Sequence, residues 1–206
     1  FLGNLFTYAL PKASKKLTVL GATSGDTGSA AIHAFKGKKD INVFILHPLN
    51  RVSDVQRRQM TTVMDENIFN IAIEGNFDDC QKIVKELFID EELQQRTSLT
   101  AINSINWARL MAQVVYYFWS YLQISKEKVN YIVPSGNFGN VFSASVAKKM
   151  GLPINKLHIA TNQNDILHSS IYDGVMKKNI VTQTCSPSMD IQISSNFERQ
   201  LFESTK

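Results

Sequence analysis

The sequence predicts an α/β fold built on parallel strands, and three observations carry that prediction. Short runs rich in Val, Ile and Leu recur along the chain, most followed by a turn with Gly, Pro or Asn and then a helical stretch. Strand, turn, helix, strand at this spacing is the pattern of parallel βαβ units, and strands of that composition suit a sheet covered on both faces. With 44% apolar and 19% charged residues, 206 residues can bury a core and carry too little charge for a disordered chain. The longest unbroken apolar or aromatic run, Val114 to Trp119, is far short of the roughly 20 residues a bilayer crossing needs.

The elements follow in order. Phe1, Leu2, Leu5, Phe6, Ala9 and Leu10 repeat at helical spacing, as if in the middle of a helix. Residues 17–22 (LTVLGA) form the first strand, followed by a glycine turn and a small-residue helix from about Asp26 to Phe35. Residues 41–47 (INVFILH) are the second strand, closed by Pro48. Ser53 caps a helix to about Met64, with Asp54 in the first turn where it complements the dipole. Residues 68–73 (IFNIAI) are the third strand, and Gly75-Asn76 precede an amphipathic helix over 77–89. Thr97 to Asn106 is polar and turn-like, and the expected domain break lies around 95–106, with Pro48 as the alternative. A long aromatic helix covers 107–123, whose stripe of Val115, Phe118, Trp119 and Leu122 is expected in the core. Strand 129–133, helix 140–150, strand 156–161 and helix 164–174 complete the pattern, and a last amphipathic stretch runs to the end.

Composition excludes several classes. The formal charge of +4 comes from lysines and arginines in small groups at helix ends and turns, not from one basic stripe, so nucleic-acid binding is not expected. Two cysteines, Cys80 and Cys185, are too few and too far apart for a disulfide framework or a metal knuckle. His33, His47, His158 and His168 lack ligand spacing, so no metal is expected and each reads as a satisfied core or surface histidine. No secretory signal opens the sequence, and a cytoplasmic, reducing environment with no membrane association is expected. The first and last residues both fall in helical stretches without start or stop signals, which leads us to expect a segment of a longer protein, incomplete at both ends.

Three motifs carry chemistry. Gly21-Ala22-Thr23-Ser24-Gly25-Asp26-Thr27-Gly28 lies between a strand and a helix. Small residues there let a ligand approach the backbone, and amides at a helix start attract anions. The same residues also fit an ordinary βα turn, and spacing leaves both readings open. Ser135-Gly136-Asn137-Phe138-Gly139-Asn140 sits in an equivalent place, and its two glycines flanked by amide side chains favour a nest of N–H groups around a phosphate. Asn103-Ser104-Ile105-Asn106-Trp107-Ala108-Arg109 opens the aromatic helix; it offers capping groups and a bidentate cation, or simply a cap and a surface Arg.

Together these motifs resemble the pyridoxal-phosphate enzymes of the tryptophan-synthase β type, also called fold type II. Five strings resemble the threonine synthase family in particular: ATSGDTGSAA (22–31), NSINWAR (103–109), PSGNFGN (134–140), AKKMGLPI (147–154) and SPSMDIQISSNFER (186–199). The resemblance implies parallel sheets with helices on both faces in two α/β subdomains. Residues 1–16 would end a helix from a preceding domain, 17–100 would form the smaller subdomain, and 101–206 would form part of the larger cofactor-binding one. It implies that Gly136, Asn137, Phe138, Gly139 and Asn140, with Asn106, hold pyridoxal 5'-phosphate. Thr23, Ser24, Gly25, Asp26 and Thr27 would hold the substrate carboxylate and close over it, with Ser104 and Arg109 on the substrate as well.

The implied reaction converts O-phospho-L-homoserine and water to L-threonine and phosphate. In the family the reactive lysine lies in a GPTxAFKD-like stretch directly before the residues matching Phe1-Leu2-Gly3-Asn4. Lys36 follows Ala-Phe but ends the helix of the SGDTG loop and has no Asp after it, so no lysine of this chain is assigned that role. The 206 residues alone are therefore expected to be inactive. A monomer or homodimer acting on a small molecule is expected. The alternatives are another enzyme of the same fold type, such as a threonine dehydratase or a cysteine synthase, whose loop pattern Asp26 in SGDTG departs from; another lyase acting on phosphohomoserine; or a non-catalytic phosphate-ligand binder.

Overall fold

The computed structural model describes residues 2–9, 16–103, 106–124 and 127–205. The chain divides into two compact units, Phe1–Asn103 and Ser104–Lys206.

In the first unit β1 (Leu17–Ala22), β2 (Ile41–Pro48), β3 (Ile68–Ile73) and β4 (Ser98–Ala101) form a parallel sheet in the order β3-β2-β1-β4. Successive side chains of a strand face opposite ways. Val19, Val43 and Ile45 therefore pack under α2 (Asp26–Phe35) and α3 (Asp54–Thr61), against Ile32, Phe35 and Met60. Leu20, Ala22 and Leu46 face the other way, against Cys80 and Val84 of α4 (Phe77–Ile89). Helices thus cover both faces. Phe6 of α1 (Leu2–Ala9) stacks on Phe35 at 5.7 Å, and α5 (Glu91–Arg96) leads into β4.

Two expectations are corrected here. The stretch after Thr97 is a strand rather than a turn over 98–101, because β1 offers an open edge: Ser98 N–H donates to Lys16 O at 3.2 Å, and Ile102 N–H to Leu20 O at 3.2 Å. The third helix stops at Thr61, short of Met64. The hydroxyls of Thr61 and Thr62 turn back onto the carbonyls of Arg57 and Arg58, a competition with the helix ladder that ends it early.

The second unit pairs β5 (Val129–Pro134) with β6 (Ile154–Ala160) in parallel. Its helices are α6 (Trp107–Ile124), α7 (Gly139–Lys149), α8 (Ile166–Tyr172) and α9 (Phe197–Ser204). Leu110, Val114 and Tyr117 of α6 bury against Phe138, Phe142 and Ala144. This corrects the expected core stripe: Val115, Trp119 and Leu122 are exposed, and Phe118 only borders the core. Helix α6 is apolar around most of its circumference, so periodicity could not say which side docks. Tyr117 decides it through its hydroxyl, which donates to the Asn140 carbonyl at 2.9 Å. Among the described residues, no helix is long and apolar enough to cross a membrane.

Candidate functional site

Each unit carries one candidate loop, at the carboxyl end of a parallel strand and the start of a helix. In open α/β sheets, ligands gather at such strand ends.

In the first unit Thr23 follows β1 and is buried; its N–H donates to Leu46 O at 2.9 Å. Its Oγ1 accepts from the N–H groups of Gly25 at 2.9 Å and Gly28 at 2.8 Å, which curls the chain into α2. Gly25 has φ 138°, a region that a side chain rarely adopts. Gly28 is packed so closely that a Cβ would sit 2.5 Å from Thr23 Cγ2, 2.8 Å from Met60 Sδ on α3 and 2.9 Å from Ile45 Cγ2 on β2. Ser24 and Thr27 are half-buried and Asp26 is exposed on the first turn of α2. Behind the loop, the Asn103 side chain continues the sheet ladder. Its Nδ2 donates to Ala22 O at 2.8 Å, and its Oδ1 accepts from Ala22 N–H at 3.2 Å. Of the sequence-predicted residues, Thr23 to Thr27 are thus gathered in one turn, and Thr23 shapes that turn.

In the second unit Ser135 leaves β5 with its N–H on Ala160 O at 3.0 Å, and its Oγ accepts from Phe138 N–H at 3.0 Å. A Cβ on Gly136 would meet Ile191 Cγ1 at 2.9 Å and the Met189 backbone at 3.1 Å. Phe138 is left-handed, φ 62°, and caps α7 with its ring buried edge-on against Phe197. A left-handed residue at this point turns consecutive N–H groups toward one side, the geometry of an anion nest. Gly139 to Val141 then open α7, where a helix supplies no acceptor for its first amides.

The side chains of Asn137 and Asn140 are engaged with other parts of the unit. Asn137 Oδ1 accepts from Ser195 N–H at 2.9 Å and Ser195 Oγ at 2.7 Å. Asn140 Oδ1 accepts from Tyr117 Oη, and Asn140 Nδ2 donates to Gln113 Oε1 at 3.4 Å. Burial, reinforced by the neighbouring Tyr131, pushes the Tyr117 phenol up, so it stays a donor. Segment 182–192 is itself held by a polar cluster. Asn162 Nδ2 donates to Asp190 Oδ1 at 2.8 Å, Asn164 Nδ2 to Thr182 O at 2.8 Å, and Thr184 N–H to Asp190 Oδ2 at 2.8 Å. That cluster is what sets Met189 and Ile191 against Gly136.

The third motif is only partly visible. Asn106 Oδ1 accepts from Ala108 N–H at 3.0 Å, a cap for α6. Arg109 is half-buried, and desolvation pulls its pKa down; it remains a cation. Ser104 lies outside the described residues.

Sequence reasoning missed Tyr117, Gln113 and Ser195, which hold the second loop. Only Ser195 had a signal, its place in the SPSMDIQISSNFER string. His47 is a correction: read as satisfied, it is buried at the end of β2 with Nδ1 lacking a partner, and burial lowers its pKa, opposed by the Pro48 backbone. Cys80 is buried, which with Asp79 nearby raises its thiol to about 11 and leaves it unreactive.

Comparison with known proteins agrees with this architecture. A family model described as "Pyridoxal-phosphate dependent enzyme" matches residues 2–206. The chain is 53% identical to the threonine synthase of Eremothecium gossypii, over 98% of this chain and 42% of that protein. The structure of the PLP-bound threonine synthase of Brucella melitensis superimposes with a TM-score of 0.86 at 52% identity, covering 99% of this chain and 44% of that one. The threonine synthase of Escherichia coli gives 0.90 at 38% identity, over 99% and 48%. The chain thus spans less than half the length of each of these relatives.

Proposed function

We propose a function from one premise: the chain belongs to the pyridoxal-phosphate dependent enzyme family. The reading is that the intact protein is a threonine synthase, which takes O-phospho-L-homoserine and water to L-threonine and phosphate. The observation that carries it is the Ser135–Asn140 loop. Its left-handed Phe138 leads into the first turn of α7, where the amides of Gly139 and Asn140 stand at a helix start, which fits a phosphate ester. Identity near 50% to threonine synthases supports the substrate assignment.

When bound, the cofactor supplies an electron sink next to the amino-bearing carbon of the substrate. The residues of this chain do the rest by holding. Gly139 and Asn140 N–H groups, with those of Gly136 and Asn137, grip the cofactor phosphate, and Tyr117 Oη fixes the Asn140 carbonyl so that the grip does not fray. The Thr23–Thr27 turn binds the substrate carboxylate through backbone amides and hydroxyls, kept in shape by Thr23 Oγ1. Arg109, a permanent cation, serves the substrate phosphate, Ser104 is assigned to the substrate as well, and Asn106 holds the helix start for the cofactor.

The test uses the intact gene product with pyridoxal phosphate and O-phospho-L-homoserine. Equal release of L-threonine and phosphate is expected. Phosphate release with a keto acid and no threonine would overturn the reading in favour of a phosphohomoserine lyase. Borohydride reduction followed by peptide mapping is expected to leave Lys36 unlabelled, since it is an exposed residue just past the end of α2.

A further inference from the structure

The first loop has a partner that its own motif does not contain. Ser53 caps α3 by accepting from Gln56 N–H at 3.3 Å, and the same Ser53 hydroxyl donates to Gln56 Oε1 at 2.8 Å. With its oxygen occupied in this way, the Gln56 amide has its Nε2 end turned outward, where it donates to Asp26 Oδ1 at 2.5 Å. The same amide lies against Gly25, so close that a Cβ there would fall within 2.8 Å of Nε2. Gly25 is therefore glycine twice over, for its φ of 138° and for the side chain that packs on it.

We propose that Gln56 is a positioning residue: it latches the Thr23–Gly28 turn and holds the Asp26 carboxylate to α3, so that this charge does not compete for the turn's amides with a bound carboxylate. The inference rests on the reading of that turn as the substrate-carboxylate site. The physics is a competition between like anions. Asp26 stands on the first turn of α2, where helix amides attract any carboxylate in reach, including its own. A charge-assisted hydrogen bond from a side chain that is itself fixed by Ser53 removes it from that competition. Gln56 donates without adding charge, which a lysine in its place would not do.

The experiment uses the intact protein. Amide hydrogen exchange over residues 23–28, without cofactor or substrate, is compared for the natural sequence, Gln56→Met and Asp26→Ala. Each single change is expected to speed exchange about tenfold while the melting temperature stays nearly constant. Gln56→Met is also expected to raise KM for O-phospho-L-homoserine about tenfold and to leave kcat within about twofold. The pair Asp26→Asn with Gln56→Glu reverses donor and acceptor and is expected to restore slow exchange. Unchanged exchange in both single variants overturns the latch, even if threonine is made. Faster exchange in a protein that makes no threonine upholds the latch and overturns the substrate reading instead. If Gln56→Met fails to fold, Asp26→Ala, at an exposed position, decides the matter alone.

Discussion

Val19 and Leu20 are neighbours on β1, and both are buried; Val133 and Ile132 are neighbours on β5, and Val133 is 5% exposed while Ile132 is 74% exposed. The difference is one of coverage. The first unit has α2 and α3 on one face of its central strands β1 and β2 and α4 on the other, so residues of these two strands meet a helix whichever way they point, while Phe69 and Ile71 of β3 stay 41% exposed. Among the described residues the second unit has two strands, and α6 and α7 bury one side of them. The same composition of β-branched and apolar residues therefore makes a closed core in one region and an open face in the other. The two candidate loops do not divide this way. Each is shaped from within by a hydroxyl, Thr23 Oγ1 in the first and Ser135 Oγ in the second, and each is tied from a distance, the first by Gln56 and Asn103 and the second by Tyr117 and Ser195.

The sharpest test of this contrast is Phe35→Ala. Phe35 is fully buried between α1, α2 and the sheet, so its removal is expected to cost about 3–5 kcal/mol in urea unfolding. A loss below about 1 kcal/mol would mean that the two-sided core is loosely packed.

Next comes Gly136→Ala. The new methyl group would press on Ile191 and the Met189 backbone, an overpacking cost of about 1–3 kcal/mol. In a fluorescence titration of the intact protein with pyridoxal phosphate, affinity is expected to fall about tenfold, because the nest must deform. Unaltered affinity would remove this loop from the cofactor.

A smaller effect is expected from pH. Burial holds the His47 pKa below its ordinary 6.5. Below pH 6.5 the unfolded chain takes up a proton that the folded one refuses, so stability is present above 6.5 and falls as the pH drops toward the folded value. Between pH 7.5 and 5.5, the melting temperature of the natural sequence is expected to fall more than that of His47→Gln. Equal falls would show that His47 is protonated freely in the folded state.

The smallest effect is expected from Ile132→Ser. On an open face the change should stay within about 0.5 kcal/mol for this chain. A loss of about 2 kcal/mol in the intact protein would break the contrast, by showing that this face is covered there.

Much of the fold was legible because it depends on local pattern. Runs such as LTVLGA, INVFILH and IFNIAI are strands where periodicity put them, and the 77–89 helix is bounded as its Asn76 cap indicates. Ser98–Ala101 was not legible: four residues with two hydroxyls have no strand signature of their own and become a strand only by pairing with β1, about 80 residues away in sequence. The α6 stripe misled because a helix with apolar residues on most sides carries no marker of its docking face.

The site divides along the same line. By itself, the sequence determined where the backbone is closely approached, because glycine between a strand and a helix is a local requirement that no neighbour can replace. It also determined the family, through strings read in order. What only the tertiary structure decided was which side chains are left for a ligand and which are consumed in holding the loops. Phe138 turns left-handed although it is not glycine, Asn137 is committed to Ser195, Asn140 to Tyr117, and Asp26 to Gln56. Each of these depends on partners brought together by packing, and a hydrogen bond between residues 30 or 58 positions apart leaves no trace in the spacing of either.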